Sequence, residues 1–120
     1  MVNLDTHILL AAISGRAREQ ELAALDDFWC ISDMVLWELG WLAREGRIEL
    51  ALNDPRLHEV LARTTVWPIT PEIADALKKL DFRSDPVDEI IGATSLVHNV
   101  PLLTRDARML ASKVVPLALR

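Results

Sequence analysis

Residues 1–13 read MVNLDTHILLAAI, a short apolar segment followed by the carboxylate of Asp5 and then by a longer apolar segment. The first segment predicts a brief β-strand over residues 2–5, and Thr6 as N-cap predicts a helix to about Ile13. A carboxylate at the edge of a core costs free energy unless a partner compensates it, so Asp5 needs an explanation. Acids in comparable places follow at Glu38, Asp88 and Asp106.

The rest of the chain continues the alternation of strand and helix. Further strands are predicted at residues 28–31, 65–69, 100–103 and 114–117, and further helices at residues 16–25, 32–44, 54–63, 70–80, 85–98 and 105–110. Pro68 places the 65–69 strand at a sheet edge or at its own end, because proline cannot donate to a ladder. This order predicts an α/β fold, a three-layer α/β/α sandwich with a parallel sheet of about five strands, as a single domain over residues 1–120.

The composition of the chain excludes some classes of partner and location. The net charge is -5 and the pI is near 5.1, so the chain as a whole does not attract nucleic acid or an anionic membrane. The longest apolar run, residues 8–13, is far shorter than the ~20 residues of a membrane span, and no signal peptide is evident. Cys30 is the only cysteine, which excludes an internal disulfide and fits a reducing compartment. We therefore expect a cytoplasmic protein with no membrane partner.

Two of the four acids lie where a parallel sheet usually carries its ligand site. Asp5 ends the first predicted strand and Asp106 follows the fourth, and such sites lie outside the carboxyl ends of strands. Glu38 lies on the helix after the second strand, where a side chain leans toward the helix N-terminus and hence toward that same edge. Asp88 lies in the first turn of the 85–98 helix, and Gly92 one turn later leaves room for close packing.

Each acid also has a structural explanation when it is taken alone. Asp5 and Asp106 are suited to capping helices, Asp88 to the third helical position after an Asp85 cap, and Glu38 to pairing with a buried arginine. Taken together, four acids in one region repel one another and require a shared cation. Mg²⁺ or Mn²⁺ suits such oxygen ligands, and it can lower the pKa of a water and orient a phosphodiester. Among the neighbouring hydroxyls, Thr104 is the best candidate for an active-site role.

Five stretches of the chain resemble the PIN-domain family, specifically its VapC-like toxin branch. They are LDTHILL (4–10), ISDMVLWEL with REGRIEL (31–39 and 44–50), ITPEIADAL (69–77), DPVDEIIGATSL (85–96) and VPLLTRDARM (100–109). The resemblance implies a five-stranded parallel sheet and an endoribonuclease dependent on Mg²⁺ or Mn²⁺. It also implies that Asp5, Glu38, Asp88 and Asp106 are both the metal ligands and the catalytic acids.

The resemblance further implies the partners of this chain. Members are toxins of toxin–antitoxin pairs, are often homodimers, are neutralised by a small antitoxin, and cleave structured RNA such as tRNA or rRNA. Two positions depart from the family pattern: Glu89 stands where arginine is frequent, and Asp33 where a small uncharged residue is usual. Asp33 is therefore expected to cap its helix or to lie in the outer part of the site.

Two further surfaces are candidates for contacts. Arg105 and Arg108 flank Asp106 and are candidate phosphate contacts. Trp37 and Trp41, four residues apart on one helix, predict either core packing or an exposed apolar patch that meets a dimer mate or an antitoxin helix. The alternative function is a catalytically degenerate PIN-like RNA-binding or regulatory module, which Glu89 and the acidic pI support.

Overall fold

The computed structural model describes residues 1–119. The elements in chain order are β1 Val2–Leu4, α1 Thr6–Ile13, α2 Glu19–Leu25, β2 Trp29–Ser32, α3 Asp33–Arg44, α4 Pro55–Ala62, β3 Thr65–Trp67, α5 Pro71–Ala76, a 3₁₀ turn Leu77–Lys79, α6 Pro86–His98, β4 Leu102–Leu103 and α7 Ala107–Leu110. Strands and helices alternate over most of the chain, as predicted. No helix in residues 1–119 has the length and apolarity that a membrane span needs.

Four parallel strands form the sheet, in the order β3-β2-β1-β4. Helices flank the sheet, which confirms the α/β fold class. The strand that Pro68 follows, β3, lies at an edge of the sheet as predicted, because the missing N–H of proline would interrupt a further ladder.

The predicted fifth strand at residues 114–117 is wrong as a full strand. Only an isolated parallel bridge between Leu102 and Leu117 is formed there. The cause lies just upstream, where the Ser112 hydroxyl oxygen accepts hydrogen bonds from the amides of Val114 and Val115, at 3.2 and 3.1 Å. Those two amides are therefore committed to a side-chain-capped turn, and they cannot donate to a neighbouring strand.

The core lies between the sheet and the helices. Leu4, Ile31, Leu102 and Leu103 from the strands are fully buried, and they pack with side chains from the helices, among them Ile8, Leu9, Val35, Leu39 and Ile91. Strands β1, β2 and β4 are buried along nearly their whole length because both of their faces are covered, whereas the edge strand β3 exposes Thr65 and Val66. Asn3 on β1 is a polar residue in this core and is 1% exposed. Its Nδ2 donates to Ile91 O at 3.3 Å and to Ser95 Oγ at 2.9 Å, so it ties β1 to α6.

Side-chain caps fix where the helices begin. Ser32, Asp54 and Asp85 cap α3, α4 and α6 as the sequence predicts, each accepting an amide hydrogen bond in the first turn. The predicted cap of α1 is wrong by one residue: Asp5 and not Thr6 is the N-cap, because Asp5 Oδ1 accepts from the Ile8 amide at 3.0 Å. The junction of strand and helix therefore falls on the acid itself.

Gly92 of α6 allows close packing, as expected. A Cβ atom at that position would lie 3.0 Å from Phe82 Cζ, which is closer than side chains normally approach. The Phe82 ring therefore rests on the helix backbone one turn beyond Asp88. This contact, together with the Asn3 bonds, sets the position of α6 against the sheet.

Candidate functional site

Asp5 and Asp106 lie at the same edge of the sheet. Strands β1 and β4 are neighbours in the parallel sheet, and the Asp5 amide donates to Leu103 O at 3.3 Å. Asp5 ends β1 as the cap of α1, and Asp106 follows β4 as the cap of α7, accepting from the amides of Arg108 and Met109 at 2.9 and 3.1 Å. The two acids are thus held on rigid elements, each with one oxygen fixed by backbone amides.

Thr104 joins these two acids. Its hydroxyl donates to Asp5 Oδ2 at 2.5 Å and accepts from the Asp106 amide at 3.0 Å. The side chain is buried, and both the donor and the acceptor capacity of its hydroxyl are used. The structure therefore places Thr104 in contact with one predicted site acid and with the backbone of another.

Asp88 extends this network from α6. Burial raises the pKa of the Asp88 carboxyl to about 6, the hydrogen bond from Ser84 opposes the rise, and the negative charges of Asp85 and Asp106 add to it. Ser84 Oγ donates to Asp88 Oδ2 at 2.9 Å. Hydrogen bonds thus connect Asp5, Thr104 and the Asp106 backbone, whereas Asp88 is held by Ser84 and is linked to this network only through the charge of Asp106, which helps to raise its pKa.

Burial also raises the pKa of Asp5, which is 4% exposed, and the hydrogen bonds from Thr104 and the Ile8 amide only partly oppose this. A buried carboxylate normally finds a cationic partner. None of the ion pairs among residues 1–119 involves the four predicted acids, Asp5, Glu38, Asp88 and Asp106. The predicted acids are thus not neutralised by lysine or arginine in the part of the chain that the structure describes.

Glu38 forms no hydrogen bond with the other three acids in the part of the chain that the structure describes. It is half-buried on α3, and within the described residues its carboxylate makes no hydrogen bond and no ion pair. The arginine partner that a purely structural role would need is therefore not found in residues 1–119.

The donor set suits a hard divalent cation, although it is not a closed cluster. Among residues 1–119, no three Asp, Glu, His or Cys side chains are grouped closely enough to hold one metal ion between them. Mg²⁺ normally binds through one or two carboxylates and keeps several waters, so the connected acids match its chemistry without such a cluster. Asp106 Oδ2 accepts no hydrogen bond from any described residue and is free to act as a ligand.

Sequence reasoning missed two partners of the site, Ser84 and Glu21. Ser84 is a plain loop serine in the sequence, and Glu21 carries no local motif, since its partner is far along the chain. Arg105 was expected at a phosphate, but its Nε and Nη2 donate to Glu21 Oε2 and Oε1 at 2.8 and 2.7 Å. The Arg105 guanidinium is therefore engaged by Glu21, and its contact with a phosphate stays a prediction.

The two departures from the family pattern have local explanations. Glu89 Oε2 accepts from the Ser84 amide at 3.0 Å, so this acid braces the loop that also orients Asp88. Asp33 does not cap α3, which Ser32 caps, but its Oδ2 accepts from the Ile69 amide at 3.4 Å. Asp33 therefore ties the segment after β3 to the start of α3.

An apolar face of α3 is exposed, in agreement with the second interpretation of the tryptophan pair. Trp37 is 57% exposed and stacks on Trp41 with ring centroids 6.4 Å apart. The Arg47 guanidinium lies 5.5 Å from the Trp41 ring centroid. Together with Leu36 and Gly40, these rings line a shallow pocket on the helix surface.

Comparison with known proteins places this geometry in a family. The model of the PIN domain matches residues 2–114. Ribonuclease VapC22 of Mycobacterium tuberculosis is 32% identical over 122 residues, which cover 90% of this chain and 88% of that protein.

Solved structures of similar fold agree with this match. A chain of VapBC2 from Rickettsia felis, bound to a DNA fragment from its promoter, superposes with a TM-score of 0.69 at 18% identity, covering 99% of this chain and 98% of that one. A chain of a toxin–antitoxin complex from Klebsiella pneumoniae gives a TM-score of 0.67 at 24% identity, covering 92% and 91%. At these identities the two likenesses speak for the fold alone. On the evidence of the family match and the relative at 32% identity, this chain belongs to the PIN domain family, and it resembles the VapC proteins within it.

Proposed function

We propose that this chain is an endoribonuclease dependent on Mg²⁺ or Mn²⁺, the toxin of a toxin–antitoxin pair, which hydrolyses phosphodiester bonds in structured RNA. The observation that carries the proposal is the hydrogen-bonded network of Asp5, Thr104 and Asp106 at the carboxyl edge of the sheet, with Asp88 on α6; no lysine or arginine among residues 1–119 forms an ion pair with these acids. The name of the 32% identical relative, a ribonuclease, supports the reaction class.

In this proposal, Asp88 and Asp106 bind the cation, and Asp5 and Glu38 complete the acidic site. When bound, the divalent cation supplies an activated water and neutralises charge on the scissile phosphate. The protein holds the acids in position. The backbone amides at the start of α7 fix Asp106, the Thr104 hydroxyl fixes Asp5, and the Ser84 hydroxyl fixes Asp88. Such outer hydrogen bonds orient ligands and typically influence metal affinity or activity about 10–100-fold.

The proposed partners are an RNA, such as a tRNA or an rRNA, a small antitoxin and a second copy of the chain. Because the net charge is -5, RNA contact must be local and must depend on the cation and on nearby basic side chains such as Arg108. The similar solved structures are named as toxin–antitoxin assemblies, which supports an antitoxin partner. The exposed α3 face around Trp37 is a surface of the apolar kind that such partners cover. We also propose a cytoplasmic location, because a chain with Cys30 as its only cysteine fits a reducing compartment.

The direct test is cleavage of total RNA by the purified chain in Mn²⁺. Discrete fragments are expected with Mn²⁺, and none with EDTA or with the Asp5→Asn and Asp88→Asn variants at equal folded concentration. Sequencing the 5′ ends of the fragments identifies the RNA and the cleaved position. Equal cleavage in EDTA, or by either variant, contradicts a metal-dependent mechanism at these acids.

A second candidate function has one observation in its favour. Because no three acids in residues 1–119 form a metal cluster, a degenerate RNA-binding or regulatory module fits the same fold. The same assay separates the two functions. A module of this kind retards RNA in a gel shift, yet leaves every RNA intact in Mn²⁺.

A further inference from the structure

A buried glutamate from a distant helix holds an arginine beside the acidic site. Glu21 on α2 is 3% exposed. Its carboxylate accepts from Arg105 Nε and Nη2 at 2.8 and 2.7 Å, and from the Arg18 amide at 2.7 Å. Nη2 of Arg105 also donates to Arg16 O at 3.2 Å. This paired geometry fixes both the position and the plane of the guanidinium.

Arg105 occupies a sensitive position in the chain. It lies in the chain directly between Thr104, which bonds Asp5, and Asp106. A guanidinium is a strong bidentate partner for carboxylates. If the Arg105 guanidinium were free to turn toward Asp5 or Asp106, it would bind the carboxylate oxygens that a divalent cation needs.

We propose that Glu21 is a positioning residue that holds the Arg105 guanidinium out of the acidic site and so leaves the oxygens of Asp5 and Asp106 to a divalent cation. The inference rests on the proposed function, since it assumes that these acids bind such a cation. The role is electrostatic. Glu21 supplies the negative charge that Arg105 would otherwise take from the site.

A merely structural ion pair makes different predictions from this one. Buried pairs typically contribute little net stability, and the loss of either partner then harms folding. If Glu21 serves only to stabilise the fold, removing Arg105 in addition cannot restore the metal binding that is lost with Glu21. If Glu21 restrains Arg105, removing the arginine restores the site.

The test is Mn²⁺ binding to the full chain, measured by the electron paramagnetic resonance signal of free Mn²⁺. Glu21→Gln keeps the size of the side chain and an oxygen for the Arg18 amide, but removes the charge. We expect E21Q to bind Mn²⁺ about tenfold more weakly than wild type, and the double variant E21Q/R105Q to return to within about twofold. Glu19→Gln, an exposed charge on the same helix, is the matched control and is expected to bind as wild type does.

A second comparison tests the inference with Glu21 in place. Arg105→Lys keeps the positive charge but loses the bidentate fit to Glu21, so we expect it to bind Mn²⁺ more weakly than Arg105→Gln does. A structural ion pair predicts the reverse order, because lysine preserves the pair. Circular dichroism and thermal unfolding of each variant confirm that folded chains are compared.

The outcomes separate this inference from the proposed function. If wild type binds no Mn²⁺, the proposed function fails and this inference fails with it. If wild type binds Mn²⁺ but E21Q binds equally well, or if E21Q/R105Q remains as weak as E21Q, only the role of Glu21 is overturned. The role of Glu21 is also overturned if Arg105→Lys binds Mn²⁺ as well as or better than Arg105→Gln does. This comparison decides the question even if E21Q does not fold.

Discussion

The Thr104 hydroxyl donates a hydrogen bond to Asp5 Oδ2 across the ends of two neighbouring strands, although the residues are 99 positions apart in the chain. The oxygen of that Thr104 hydroxyl also accepts a hydrogen bond from the Asp106 amide. One small side chain therefore sets the relative position of two of the acids on which the proposed chemistry depends. Its two bonds also make it a clear target for substitution.

Thr104→Val keeps the shape of the side chain and removes both hydrogen bonds. We expect RNA cleavage to fall about 10–100-fold, because Asp5 loses its orienting partner. The free energy of unfolding should fall by about 1–3 kcal/mol, since the Asp106 amide and Asp5 lose a buried partner. Thr104→Ser is the matched control, and it should retain most of the activity. Full activity of the valine variant would show that the hydroxyl does not orient the site.

Asp88 gives a pH dependence with a definite sign. Its pKa is about 6 in the folded chain and 3.8 without burial. Between these values the folded chain keeps a proton that the unfolded chain has released. The stability that Asp88 contributes is therefore present below pH 3.8 and is lost as pH rises through about 6.

The Asp88→Asn variant has no carboxyl at this position and therefore does not lose stability in this way as the pH rises. In EDTA, its free energy of unfolding relative to wild type should be higher at pH 8 than at pH 4, as measured by urea unfolding at both pH values. The variant should nevertheless cleave no RNA in Mn²⁺. Asp26→Asn, at an exposed acid, serves as the control and should show no such difference. An equal stability difference at both pH values would contradict the raised pKa.

Glu38 is the acid whose role the structure supports least. Because it has no partner in the described residues, Glu38→Gln should change the free energy of unfolding by no more than about 0.5 kcal/mol. RNA cleavage should nevertheless fall at least about tenfold, if the family assignment of this acid holds. Glu49→Gln, at an exposed acid beyond the same helix, is the control. Wild-type cleavage by the Glu38 variant would remove Glu38 from the site.

The exposed Trp37 tests the proposed homodimer. Light scattering at micromolar concentration is expected to give the mass of two copies for wild type. Trp37→Glu should fold normally, because the side chain is 57% exposed, and should shift the mass toward one copy by placing a charge in an apolar contact. A monomeric wild type would exclude the homodimer at that concentration.

Local signals in the sequence predicted most of the fold. Ser32, Asp54-Pro55 and Asp85-Pro86 mark helix starts that depend only on nearby residues, and Pro68 marks the edge strand. Residues 114–117 have the apolar pattern of a strand, but the Ser112 hydroxyl just upstream caps the amides of Val114 and Val115, and the apolar pattern does not record this local competition. Thr6 and Asp5 are both good caps, and the pattern alone could not choose between them.

The candidate site was predictable where it followed from topology. Asp5 and Asp106 meet because parallel strands end at a common edge, and that edge could be inferred from the alternation of elements. The partners that orient the acids were not predictable in the same way. Ser84 reaches Asp88 through a loop, and Glu21 reaches Arg105 across 84 positions. Ser84 lies only four residues before Asp88, but no motif singles it out, and no local spacing encodes the contact of Glu21 with Arg105.

A crystal of this chain soaked in Mn²⁺ tests the central claim most directly, through the anomalous scattering of the ion. We predict an anomalous peak at about 2.1 Å from carboxylate oxygens of Asp88 and Asp106, with Asp5 bound directly or through a water. A map with no peak among these side chains, at a Mn²⁺ concentration that supports RNA cleavage, would contradict the account.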